Sequence, residues 1–386
     1  MLPNVDLGNH RISYFWSLDR EADHSWLDVD PPTDRILLIS DKTVYSLHGE
    51  EIQRLLEIHA PVVSLLVEAG ETEKNFTTLN RLCEEAIQAG VSRRTLVVGF
   101  GGGVVCNIAG LVANLIYRGL RVVYVPTTLL AAADVVISLK NGVNSDNGKN
   151  AFGSYLAASA IVVDAPVFST LPEVERRSGL AELAKNALSV APKTMSEITR
   201  LARRPQPWDN DTWLRLIELG TIAKQQVMLD DPYEQGPAVV FEYGHTVGHA
   251  IELADLEQHG SDAIRHGLAV SIGMCAAAYV AEEIGVARRG LAEDHIGFLE
   301  ACGLPTRIPS SVRLDRVHEL ILKDNKRGRI SCAADEVAMV LLEDIGKVAG
   351  SSQLPLIPVH KTVIERVLDR MSSSSRPKAR AMSMES

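Results

Sequence analysis

TLVVGFGGGVVCNIAGLVANLIYR, residues 95–118, decides the fold. Its opening run, Thr95–Val98, is apolar and β-branched and predicts a strand; Gly99-Phe100-Gly101-Gly102-Gly103 breaks it, and a helical pattern runs from Cys106 to Arg118. A glycine turn between strand and helix lets a pyrophosphate meet backbone N–H groups at a helix N-terminus. The G-x-G-x-x-G register is incomplete, because Cys106 fills its last glycine slot. A tight turn that needs glycine for its own sake is the plain alternative.

Working outward, the same alternation repeats. Strand candidates are Arg35–Ser40, Val62–Val67, Arg121–Val125 and Ala160–Val163, with helical patterns such as Asn75–Ala89 between them. This predicts a doubly wound α/β domain with a mainly parallel sheet over residues 1–170. From about Leu171 the periodicity turns helical: Glu173–Val190, Thr212–Leu229, Gly244–Asp255, His266–Glu283 and Asp315–Lys323, with one β-like run at Glu336–Leu342. A mostly α-helical second domain is expected over 171–370, and a polar, low-complexity, disordered tail over 371–386.

The 386-residue length suits two domains, and 46% hydrophobic with 23% charged residues is ordinary for a soluble chain. A net charge of −10 argues against nucleic acid or an anionic membrane as partner. Cys83, Cys106, Cys275, Cys302 and Cys332 form no C-x-x-C pair and suggest reduced thiols in a cytoplasmic protein. Met1–Arg20 carries no signal-peptide core, and the apolar stretch Gly267–Ala281 is too short for a bilayer.

Three stretches carry metal chemistry: GLAELAK at 179–185, FEYGHTVGH at 241–249 and RHG at 265–267. His245 and His249 share a helix face if a helix starts near Gly244. With His266 and Glu182 they can hold a divalent ion and leave positions open for substrate oxygens. Spacing does not say which two histidines bind. Lys140, Lys149 and Asn150 bracket a polar glycine-containing loop that suits a phosphate monoester, or is simply solvated. Asp134, in an apolar run, is either a buried paired carboxylate or a ligand contact. Asp41 and Glu71-Thr72-Glu73-Lys74 follow strands, where nucleotides bind in open sheets.

Read in order, these segments resemble the sugar phosphate cyclase family, whose best-known member is 3-dehydroquinate synthase. The motifs are GGGVV, Arg118-Gly119, VPTTLLA, GKN, GLAE-x-x-K, YGHTVGHAIE, HG-x-AVSIGM and Asp324–Lys326, across residues 35–345. The resemblance implies an NAD- and metal-dependent lyase in a homodimer, with Glu182, His245 and His266 on Co2+ or Zn2+. It implies NAD contacts at Asp41, Glu71, Lys74, Gly102, Gly103, Thr127, Thr128, Asp134 and Lys149. Lys140, Asn150, Lys185, Lys224, His249 and Lys326 would meet substrate and phosphate, and Arg118 the phosphate of the other subunit. Glu242, Lys140, Lys185 and His249 are the expected catalytic groups, with Glu242 as acid/base.

The departures narrow the substrate. Glu242 replaces the family's asparagine, Ala238 its carboxylate-gripping arginine, Asn107 an aspartate, Ser138-Leu139-Lys140 a GGK, and Leu268 a glutamate. Loss of the arginine suits a neutral substrate, and the branch with this FEYGHTVGHA form acts on D-glucose 6-phosphate. Dehydroquinate synthesis and cyclisation of sedoheptulose 7-phosphate are the alternatives.

Overall fold

The computed structural model describes residues 4–18, 22–27, 32–145, 148–260, 263–324 and 326–373. An antiparallel hairpin comes first, Asn4–Leu7 (β1) and His10–Phe15 (β2), with Val5 opposite Ile12. The chain then alternates through Ile36–Asp41 (β3), Lys42–Glu57 (α1), Val62–Val67 (β4), Phe76–Gln88 (α2), Leu96–Gly101 (β5), Gly103–Leu115 (α3) and Arg121–Pro126 (β6). A second hairpin, Lys140–Ser145 (β7) and Gly148–Tyr155 (β8), precedes Ala160–Val162 (β9). Seven strands lie in the order β1-β2-β9-β6-β5-β3-β4, parallel except for β1 on β2.

Successive side chains of a strand face opposite ways, so a strand apolar throughout needs cover on both faces. Strands β3 and β5 are buried at every residue. Ile36, Leu38, Val98, Phe100 and Val123 pack with Ile52, Leu55 and Leu56 of α1. Their neighbours Leu37, Ile39, Val97, Val122 and Tyr124 join the opposite face, together with Leu79, Leu82 and Ile108 of α2 and α3. That second cluster continues unbroken through Leu180, Leu183, Ile217 and Ile272.

Those last residues belong to the helical half: Glu173–Ser189 (α4), Met195–Ala202 (α5), Asn210–Met228 (α6), His245–His259 (α7), His266–Glu283 (α8), Leu291–Ala301 (α9) and Leu314–Leu320 (α10). Short strands Glu336–Met339 (β10), Leu342–Asp344 (β11), Lys347–Val348 (β12) and Ile357–His360 (β13) lead to Lys361–Ser373 (α11). Helix α8 is the axle, packed by α4, α7, α9 and α11. It is buried on all sides, so its apolar stretch is a core helix, and no described helix is long and apolar enough to cross a membrane. Its glycines set the approach of its neighbours. A Cβ at Gly267 would lie 2.0 Å from the Ser178 carbonyl, and one at Gly273 2.0 Å from that of Gly244.

The α/β-then-helical order is as expected, with three local corrections. The hairpin β1–β2 escaped the sequence reading because its half-exposed strands mix polar and apolar residues. Residues 140–150, expected as a polar loop, pair as β7 and β8; Gly153 lets the strands close, since a Cβ there would sit 2.6 Å from the Asn141 carbonyl. Helix α3 starts at Gly103 rather than Cys106 and stops at Leu115, because Tyr117 (φ 52°) and Arg118 (φ 67°) leave the helical region. Of the tail expected to be disordered, 371–373 close α11, and 374–386 lie outside the described residues.

Gly273→Ala should overpack the α7–α8 contact and cost roughly 1–3 kcal/mol. A urea midpoint lowered at unchanged slope is the expected readout; an unshifted midpoint would mean the helices part without cost.

Candidate active site

A cleft of about 970 Å³ opens between the carboxyl ends of β3, β5 and β6 and the helices α4, α7 and α8. Open α/β sheets bind ligands at these strand ends. Asp41 ends β3, Gly102 and Gly103 follow β5, and Thr127 and Thr128 follow β6; all five line the cleft. Neither glycine needs a positive φ. They are there for space: a Cβ on Gly102 would be 3.1 Å from Thr128, and one on Gly103 3.2 Å from Val135. The amino end of α3 therefore presents bare backbone to the cleft.

At the opposite wall three helices deliver a metal-ligand set. His245 and His266 are the first residues of α7 and α8, and Glu182 lies midway along α4. His245 donates Nδ1–H to the Tyr243 carbonyl at 3.1 Å, and His266 donates Nδ1–H to Glu252 Oε2 at 2.9 Å. Both rings thereby turn Nε2 toward the cage, His266 as a lone-pair donor once its proton is lost. They face Glu182 Oε1 at 3.8 Å (His245) and 3.4 Å (His266). Two ligands about 2.1 Å from one tetrahedral ion are about 3.4 Å apart, so the spacing fits. Glu182 is buried; its Oε2 meets Lys185 Nζ at 2.5 Å, and Oε1 lacks a hydrogen-bond partner. An orphaned carboxylate oxygen between two imidazole nitrogens suits a divalent cation.

Spacing left a choice among three histidines. The His249 ring sits 5.1 Å from His245 and 5.5 Å from His266, and ligand atoms of all three lie within 4.8 Å of one another. His249 makes no ion pair with Glu182 among the described residues. Burial, then the two neighbouring imidazoles, push it well below its ordinary range, so it is neutral. Burial alone would raise Glu182, but Lys185, His245 and His266 outweigh it and hold the carboxyl well down. Burial would lower His266, yet Glu252 and Glu182 push it up to about 9.

The expected ligand-binding cations arrive already paired. Lys140 meets Glu234 at 2.7 Å, Lys224 meets Asp134 at 3.1 Å, and Lys326 lies 2.8 Å from Asp324 and 3.5 Å from Glu242. Lys149 bridges Glu252 and Glu71, while Lys74 donates to Asn150 Oδ1 at 2.6 Å. Lys185, Lys326 and Glu182 lie behind the wall, whereas Lys74, Lys140, Lys149, Asn150, Lys224, Asp134, Glu242, His245, His249 and His266 line it.

Several of the expected residues already have partners. Asp41 accepts the backbone N–H of Val44 through Oδ1 at 2.9 Å, capping α1, and also lines the cleft. Glu71 Oε1 takes Lys149 and, at 2.8 Å, Asn144 Nδ2, so it too is engaged. Arg118 is exposed at the amino end of β6, across the sheet from the cleft, and serves no site within its own chain. Ala238 is fully buried and accepts no cleft position; its N–H donates to Asp231.

Glu252, Glu234 and Arg329 were missed. His245, His249 and Glu252 stand at i, i+4 and i+7, one helix face, and that spacing could have revealed Glu252. Glu234, held at φ 52°, and Arg329, which donates to its carbonyl at 2.9 Å, have no such signature.

Family models for the N-terminal and C-terminal parts of 3-dehydroquinate synthase match residues 64–178 and 179–327. The chain belongs to this family. Within it, the chain is similar to 2-deoxy-scyllo-inosose synthases. The Streptomyces lividus enzyme is 39% identical over 343 residues, 89% of this chain and 88% of that one. The Niallia circulans enzyme is 36% identical over 339 residues, 87% and 90% of the two chains. A crystal structure of 2-deoxy-scyllo-inosose synthase with carbaglucose-6-phosphate, NAD+ and Co2+ superposes with TM-score 0.84 at 31% identity, covering 95% of this chain and 99% of that one. The family fold thus holds the cleft described above.

The raised His266 gives a signed prediction. Its pKa rises from 6.5 to about 9 on folding, so its stabilisation of metal-free protein is complete below pH 6.5 and is lost as pH rises through 9. Metal must displace that proton, so metal affinity should strengthen over the same window. Melting temperature and metal titration from pH 6 to 9 test both. Parallel trends in place of opposite ones would remove the proton from His266.

Proposed function

We infer that the protein is an NAD- and metal-dependent lyase that converts D-glucose 6-phosphate to 2-deoxy-scyllo-inosose with release of phosphate. The observation that carries this reading is the meeting, in one cleft, of the Glu182–His245–His266 cage, the bare N-terminus of α3 and a wall of lysines. Similarity to the named synthases, and the carbaglucose-6-phosphate complex of one of them, supports the substrate. Co2+ or Zn2+ suits two imidazoles and a carboxylate.

The C5 proton of the sugar is not acidic, and phosphate leaves poorly from C6 until C4 is a ketone. When bound, the dinucleotide takes and returns the C4 hydride while the divalent ion draws charge from the C4 oxygen. The chain's residues supply the rest. Gly102, Gly103, Thr127, Thr128, Asp134, Asp41, Glu71, Lys74 and Lys149, all in the cleft lining, would hold the dinucleotide. Lys140, Asn150, Lys224 and Lys326 hold substrate and phosphate, and Lys185 and neutral His249 donate or relay protons near the cage.

Glu242 is the proton acceptor. Burial would raise its carboxyl, but Lys326, with Lys140 beyond it, outweighs that and keeps it ionised, with Oε2 free of hydrogen bonds in the cleft. So long as Lys326 stays close, Glu242 is a weak base. Were the phosphate to draw that charge away, the carboxylate would strengthen.

The reading extends to the assembly and the cell. Exposed Leu115 and Tyr117 flank Arg118, apolar surface of the kind a second copy covers, which supports a homodimer with Arg118 in its partner's site. Five free cysteines suit the cytoplasm. The product belongs to 2-deoxystreptamine aminoglycoside biosynthesis.

Purified protein with D-glucose 6-phosphate, NAD+ and Co2+ should release phosphate with no net NADH and give a deoxy-inosose mass. Stoichiometric NADH would mean a polyol dehydrogenase, and turnover only of a seven-carbon acid phosphate a dehydroquinate synthase. Glu242→Gln should lose turnover by about 10²–10⁴-fold, the usual worth of a general base, with metal and NAD binding retained. Retained activity removes Glu242 from the chemistry.

A further inference from the structure

Glu252 is a buried carboxylate to which no step of the reaction assigns a role. Glu252, on α7, accepts from His266 Nδ1 at 2.9 Å through Oε2 and holds Lys149 through Oε1. Lys149, on β8, lies 3.2 Å from Glu71 in the turn after β4. Glu252 and Lys149 keep only 8% and 9% of their side-chain surface exposed. The same region is tied by Asn144, whose side chain donates to Glu71 at 2.8 Å and whose backbone N–H donates to the Lys74 carbonyl at 2.8 Å. A continuous chain of contacts therefore runs from a ligand of the metal cage to the residues at the dinucleotide edge. It crosses from the helical half to the sheet through the side chains of Glu252, Lys149, Glu71 and Asn144, each contact shorter than 3.5 Å, and ends on a backbone hydrogen bond to Lys74.

We propose that Glu252 links the two cofactor sites, so that metal and dinucleotide each strengthen the binding of the other. This rests on the NAD and metal reading given above. The argument is one of shared partners. A carboxylate that serves both His266 and Lys149 divides its charge between them. A pyrophosphate that draws Lys149 toward itself leaves Glu252 with His266 alone, which raises the electron density at Nε2 and tightens the metal. A cation on Nε2 makes the opposite Nδ1–H a stronger donor to Glu252, which loosens Lys149 for the pyrophosphate. Linkage requires both effects to have the same size. Glu252 is thus a positioning residue and touches no reacting atom.

Calorimetric titration of the full chain with Zn2+, with and without saturating NAD+, tests this. The wild-type Kd for Zn2+ should fall about tenfold when NAD+ is present, and the Kd for NAD+ by the same factor when Zn2+ is present. Glu252→Gln keeps the shape but not the charge. It should weaken Zn2+ binding, strengthen NAD+ binding to metal-free protein because Lys149 is no longer held by a carboxylate, and bring both ratios close to one. Glu252→Asp keeps the charge but cannot reach both partners, and should also lose the ratio; it carries the test if the glutamine variant does not fold. A wild-type ratio of one, or a ratio that survives in either variant, overturns the link. Wild-type protein that binds neither Zn2+ nor NAD+ would instead overturn the cofactor reading itself.

Discussion

A carboxylate removed from water is stable only beside compensating charge, and Glu182 is 1% exposed. Its partners come from three helices: Lys185 one turn along α4, His245 from α7 and His266 from α8. These helices must meet closely to serve one oxygen pair. Gly267 and Gly273 make that possible, since side chains there would strike the Ser178 and Gly244 backbones. The apolar core of the helical half is continuous with one face of the sheet, so the cage is fixed relative to the ends of β5 and β6. A single buried charge thus ties together three helices that share their core with a sheet.

The same logic extends across the cleft. Lys140, Lys149, Lys224 and Lys326 each hold a carboxylate partner. Pairing keeps cations tolerable in a secluded site before a ligand arrives. On the proposed function, a phosphorylated ligand would bind by exchange, its oxygens taking over lysine contacts that carboxylates hold, and the freed carboxylates would become better proton acceptors.

The sequence made much of this legible, and where it did not there is a physical reason. Parallel strands buried on both faces, such as β3 and β5, are plain apolar runs, and small-residue helices such as α4 and α8 betray their burial. Strands β1, β2, β7 and β8 are half exposed or polar, so periodicity could not separate them from loops. Within the site, residues in short motifs were found because their spacing is local. His245, His249 and His266 belong to this class. Contacts such as Lys140 with Glu234 join residues 94 apart, and nothing in either segment announces the other. Asp41 ends a strand as the pattern predicts, whereas its cap on α1 is a local contact that the strand pattern does not announce.

The cleft is built from parts of unequal stiffness. Its metal wall rides on interlocked helices, whereas Lys140, Lys149 and Asn150 ride on the hairpin β7–β8, where β8 is mostly exposed. Lys149 ties that exposed hairpin to the buried Glu252, and Glu252 accepts from His266. An exchange in β8 that shifts Lys149 is therefore felt at the metal wall, although the interlocked helices themselves stay put at the contact between Gly244 and Gly273.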